Sequence, residues 1–145
     1  MKIVKIQKLA NSKYNIILDN EKITTFDNVI LKYNLLYKKE ITKEEVTKII
    51  GESKYYDAYN KALKYSTKKI RSEREIKKYL DKFDLNEKEK KSIIDKFREL
   101  NIINNRNYCK AFINDKIHLS KYGINKIKNM LIKEGIESFI IEEEI

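Results

Sequence analysis

The feature that most constrains the fold is a helical pattern that occurs twice, about fifty residues apart. In its first occurrence, Arg71 to Leu100, Ser72 and Glu75 read as a capping box. The hydroxyl accepts from the Glu75 amide while the carboxylate reaches back to the Ser72 N–H. Ile76, Tyr79, Leu80 and Phe83 then recur at the spacing of one helix face. Asn86 and Glu89 repeat the start signal, and Ile93, Ile94, Phe97 and Leu100 make the next stripe. Helices this short do not persist alone in water, so each must bury its stripe against neighbours.

Laid over the first occurrence, the downstream segment puts Ile127 on Ile76, Leu131 on Leu80, Ile136 on Leu85 and Ile145 on Ile94. Upstream, Lys110-Ala111-Phe112 falls on Lys61-Ala62-Leu63 once a two-residue length difference is allowed. This is a tandem helical repeat. The predicted fold is mainly α, with tandem three-helix, helix-turn-helix-like repeats. The second copy ends where its third helix has barely begun, which leads to the expectation of a truncated chain.

The N-terminal segment follows a different period. Residues 2–9 alternate and read as a strand, Asn11-Ser12-Lys13 as a turn, and Tyr14–Leu18 and Lys22–Phe26 as further strands. Asp27 is placed to cap a short helix that buries Val29, Ile30, Tyr33, Leu36 and Tyr37. Thr42 and Glu45 open a helix through Val46, Ile49 and Ile50, and Gly51 is a candidate interruption before Tyr55, Tyr59, Ala62 and Leu63. Asn104 or Asn105 starts the second copy, with Tyr108, Ala111, Phe112 and Leu119 on its first helix. Its second helix should stop at Gly135 in a Schellman motif, with Leu131 against Ile136. The expected divisions are 1–42, a small β-sheet plus short helix; 43–103, the first repeat with a leading helix; and 104–145, the second repeat. With no low-complexity linker between them, a continuous helical array is expected after the sheet.

Charge carries the functional signal. The chain is +10 overall, unevenly spread. Residues 61–82 hold nine basic groups against three acidic, +6; residues 101–133 hold seven against Asp115, +6; residues 134–145 hold five carboxylates and no base, −5. Two basic segments at equivalent places in two copies point to a polyanion partner. The expected contacts are Lys68, Lys69, Arg71, Arg74, Lys77 and Lys78, with Lys121, Lys126 and Lys128 in the second copy. Arginine's fork suits bidentate phosphate contact. Tyr65 and Tyr122, near loop ends, are candidates for base stacking, whereas Tyr79 and Tyr108 read as core.

Signals for catalysis are few. His118 is the only histidine and reads as a capping or surface group; Cys109, the only cysteine, reads as a packing residue and fits a reducing cytosol. No glycine-rich phosphate loop and no metal-ligand spacing of Cys and His is present, so no catalytic residue, metal or cofactor is expected. Glu142-Glu143-Glu144 reads as the solvated start of a helix. No apolar run approaches the roughly 20 residues that span a bilayer. A cytoplasmic monomer is expected.

The ordered set Ala62-Leu63, Arg71-Ser72-Glu73, Glu75, Leu80, Leu100 to Asn105, Tyr108 to Phe112, Gly123, Ile127, Leu131 and Gly135-Ile136 resembles the bacterial RecX family. Leu18 to Glu21 and Leu31 to Leu35 extend the resemblance to the whole chain. It implies tandem three-helix repeats, commonly three, that bind RecA recombinase filaments on single- or double-stranded DNA. Modulation of the filament, mainly inhibition, would then serve DNA repair, recombination and SOS regulation. Asn104-Asn105 departs from the family's acidic pair, and the third repeat is lacking, which implies a missing surface and reduced affinity. A stand-alone helix-turn-helix DNA-binding protein or transcription factor is the alternative, and a protein-binding helical scaffold a third.

Overall fold

A computed structural model describes all 145 residues. It is mainly helical, with a three-stranded sheet at the N-terminus. The chain divides into two compact units, Met1–Ala58 and Tyr59–Ile145.

The first unit holds β1 (Ile3–Lys8), β2 (Lys13–Leu18), β3 (Lys22–Phe26) and α1 (Asp27–Lys32). The strands pair antiparallel in the order β1-β2-β3, with Ile6 opposite Ile16 and Ile16 opposite Ile23. Asn11 and Ser12 both take positive φ in the first hairpin, the two-residue turn whose twist matches its strands. Ile16, Leu18, Ile23, Val29, Ile30, Leu35, Val46 and Ile49 make one core. Two expectations fail here. Leu36 and Tyr37 are exposed, because the chain leaves α1 at Asn34 in the left-handed region and enters a short 3-10 turn that turns only Leu35 inward. Asp27 is the first residue of α1, not its cap.

The long helix α2 (Lys43–Lys68) starts with the Thr42–Glu45 capping box and runs unbroken through Gly51. A lone glycine costs a helix only about 1 kcal/mol, too little to break one anchored on both sides by buried residues such as Ile49 and Ala58. The boundary between the units falls inside α2.

The second unit contains the end of α2 together with α3 (Glu73–Leu80), α4 (Glu87–Glu99), α5 (Asn105–Asp115), α6 (Ile124–Lys133) and α7 (Ser138–Glu144). A π-helical turn, Lys116–Ser120, extends α5. The repeat keeps one register: α3 and α6 begin at 73 and 124, α4 and α7 at 87 and 138, an offset of 51 in both cases. Ile76, Leu80, Ile127 and Leu131 are all fully buried. Ser72 and Asn86 complete their capping boxes, and Asn104 caps α5. Gly135 ends α6 at φ +85°, with Ile136 N–H donating to Leu131 and Gly135 N–H to Ile132, the expected Schellman stop. Asn101 ends α4 the same way, through Ile102 N–H to Phe97 and its own N–H to Arg98. That stop leaves Leu100 exposed, and Leu119 is exposed on the π-helical turn, both against expectation.

Candidate nucleic-acid interface

The nine basic residues singled out by charge separate into two groups. Four are engaged within the chain. The Arg71 guanidinium lies 3.8 Å over the Tyr65 ring, its Nε donates to the Tyr65 carbonyl at 3.2 Å, and Nη1 is 3.9 Å from Glu75. Tyr65 also stacks on Tyr79 at 4.1 Å between ring centroids, 12° from parallel. Both Tyr65 faces are therefore occupied, and the side chain expected as a base-stacking platform is part of a stack instead. Arg74 Nη1 donates to the Lys133 carbonyl, Lys77 lies 3.0 Å from Glu73, and Lys128 lies 3.2 Å from Glu142.

The other five make no ion pair. Lys68 ends α2, Lys69 follows it in the link to α3, and Lys78 lies on α3; all three are exposed. Lys121 leaves the π-helical turn at φ +54°. Lys126 Nζ sits 3.8 Å from the Tyr122 ring centroid. Lys116, which charge counting missed, joins it: its Nζ is 5.5 Å from the Tyr122 centroid and 5.3 Å from that of Phe112. The four-residue step from Phe112 to Lys116 is the signal that could have found it. Two ammonium groups thus face one tyrosine, and neither makes an ion pair. Tyr122 is thus capped by cations and packed against the buried cluster that includes Tyr108, Cys109, Ile113, Ile127 and Leu131, not an open platform.

The charge repeats by segment rather than by residue. At the 51-residue offset Lys77 coincides with Lys128 and Lys82 with Lys133, whereas Lys126 stands opposite Glu75 and Lys121 opposite Ile70.

Several carboxylates of the second unit have partners within the chain. The Ser72 hydroxyl, 1% exposed, accepts from the Glu75 amide and donates to Glu134 Oε2 at 2.7 Å, joining the start of α3 to the end of α6. Burial works to raise the Glu73 carboxyl, but hydrogen bonds from Lys77 and Arg98 outweigh it and hold the group below its ordinary value. Glu142, Glu143 and Glu144 fall in the last turn of α7, not at a helix start. The macrodipole disfavours them there, and Lys128 and Arg106 offset it, with Arg106 Nη1 2.7 Å from Glu143 and 2.8 Å from Glu144. Cys109 is fully buried and burial pushes its thiol up, so the reactive thiolate is disfavoured. His118 is exposed on the π-helical turn. No helix is long and apolar enough to cross a membrane.

No protein-family model matches the chain. Among curated proteins it is 30% identical over 145 residues to the regulatory protein RecX of Streptococcus gordonii, and 34% identical over 146 residues to that of Streptococcus agalactiae serotype V. Each alignment covers the whole chain and 56% of the relative, so the chain spans about half the length of these relatives. Among solved structures it is similar to a crystal structure of regulatory protein RecX, with a TM-score of 0.82 and 25% identity over 99% of this chain and 71% of that one.

Proposed function

The chain belongs to the RecX family of regulatory proteins, and from that premise we propose that it binds RecA recombinase filaments on DNA and lowers recombinase activity. The observation that carries the proposal is the set of lysines without ion pairs: Lys68, Lys69 and Lys78 in the first copy, and Lys116, Lys121 and Lys126 in the second. An ammonium group with no carboxylate partner keeps its full charge for an external phosphate. Arg71, Arg74, Lys77 and Lys128 then act mainly by holding the helices in register, a different role from the direct contact expected of them.

A binder changes a filament only through unequal affinity for its states. Lysines that meet phosphate while other surfaces meet the recombinase supply that inequality, because the spacing between DNA and protein differs from one filament arrangement to another. The chain acts in this reading as a cytoplasmic monomer in the control of DNA repair, recombination and the SOS response, without chemistry of its own.

The test is co-sedimentation with RecA assembled on single-stranded DNA. The chain should pellet with filaments more tightly than it binds the same DNA alone. Equal affinity for both would favour a stand-alone DNA-binding protein, and no binding to either would overturn the proposal.

A further inference from the structure

A cleft of about 440 Å³ opens between the two copies, within the size range of sites for small organic ligands. Lys69 and Ile70, in the link from α2 to α3, line one side. Tyr108, Phe112 and Asp115 of α5, with the adjoining Lys116, line the other. Ile70 is 55% exposed, between two basic neighbours. Phe112 is half-buried, its ring centroid 5.9 Å from that of Tyr108 and 5.3 Å from Lys116 Nζ. Lys69, Asp115 and Lys116 make no ion pair. Glu75 also lines the cleft, but it is already engaged: it accepts from the Ser72 N–H at 3.2 Å and lies 3.9 Å from Arg71.

The repeat does not require these charges. With Lys110-Ala111-Phe112 laid over Lys61-Ala62-Leu63, Asp115 and Lys116 fall on Ser66 and Thr67, inside α2. The first copy thus forms the equivalent helix with no charge at either position. The cleft between α3 and α4 differs again: there Lys90 pairs with Asp81 and Arg98 with Asp95, so its charges answer one another.

The mixture of groups selects the occupant. Phosphate alone would be repelled by Asp115, and an apolar ligand would use none of the three unpaired charges. A nucleotide of an unpaired strand answers each of them. It brings phosphate to the lysines, a ring to Ile70 and Phe112, and an exocyclic amino group to the carboxylate. Lys68, exposed and one residue upstream, continues the track for a neighbouring phosphate. Bases paired and stacked in a duplex have no free face to offer such a cleft.

We propose that this cleft takes one unpaired nucleotide of single-stranded DNA, with phosphate on Lys69 and Lys116, the base against Ile70 and Phe112, and its amino edge on Asp115. The inference rests on the proposed function and goes beyond charge: the chain senses an unpaired base and favours one that carries an amino group.

The test measures the affinity of the whole chain for oligodeoxycytidine, oligodeoxythymidine and an abasic strand of equal length, at one salt concentration. The cytidine strand should bind about tenfold tighter than the abasic one. It should bind about fivefold tighter than the thymidine one. Ile70→Ser, at an exposed position, should reduce the first margin without moving the thermal midpoint. Asp115→Ala should remove the second margin and leave abasic affinity equal or tighter. Equal affinity for the cytidine strand and either of the others would overturn the inference, as would margins that neither substitution changes. Release of the strand by deoxycytidine monophosphate at equal nucleotide concentration would overturn it by giving the cleft to a free nucleotide. Weaker filament binding by Asp115→Ala, with every strand affinity unchanged, would overturn it by giving the cleft to the recombinase. A chain that binds neither filament nor strand takes the proposed function down with this inference; one that binds filaments but all strands alike overturns this inference only.

Discussion

Ser72 shows how much one small side chain can fix. Its hydroxyl closes the capping box at the start of α3 and simultaneously donates to Glu134 at the end of α6. The serine–glutamate spacing made the first of these bonds legible in the sequence; the second joins residues 62 apart and had no local signal. Ser72→Ala should therefore lower stability by about 2 kcal/mol, the upper end for a cap, since it also strands a carboxylate. A urea or thermal melt measures this, and an unchanged midpoint would contradict the double role. Glu73 makes a second prediction. Its carboxyl is held below the ordinary value of 4.5 in the folded chain, so its contribution is present above that pH and is lost as pH falls through the lower, folded value. Glu73→Gln should make stability fall less steeply in that acidic window while leaving the slope near neutrality unchanged. Identical acid melts for both proteins would refute the assignment.

At the scale of elements, two glycines separate conformational need from tolerance. Gly135 ends α6 at φ +85°, where a side chain is strained; Gly51 lies within α2, and a Cβ there would meet nothing within 4 Å. Gly135→Ala should destabilise by roughly 1 kcal/mol, and Gly51→Ala should stabilise by roughly 0.5–1 kcal/mol. Paired thermal melts check both, and shifts of the same sign would contradict the reading. The helix stripes, the three capping boxes and the stop at Gly135 were legible because each is a pattern within one or two turns. Leu36, Tyr37, Leu100 and Leu119 were misread because each lies where the chain leaves a regular helix, and periodicity carries no information past that point. The candidate site was legible as charge and not as pairing. The Tyr65 and Tyr79 stack that holds Arg71, and the Arg106 clamp on α7, both depend on how the helices pack.

At the scale of the whole molecule, lysines paired within the chain are distinct from the unpaired lysines proposed to meet a polyanion. Changing Lys68, Lys69 and Lys78 together to glutamate should weaken single-stranded DNA binding and flatten its salt dependence, by about 0.7 in log–log slope for each phosphate no longer neutralised. Lys77→Glu should instead act mainly on stability, because Lys77 is bound to Glu73. A salt titration that ranks the two variants the other way would contradict the separation. The central claim is that this chain lowers recombinase activity through the filament. Its most direct test is the rate of single-strand-dependent ATP hydrolysis by RecA as the chain is added to saturation. The rate should fall, with the Lys68, Lys69 and Lys78 triple variant needing a higher concentration for the same effect; hydrolysis unchanged at saturation would contradict the claim.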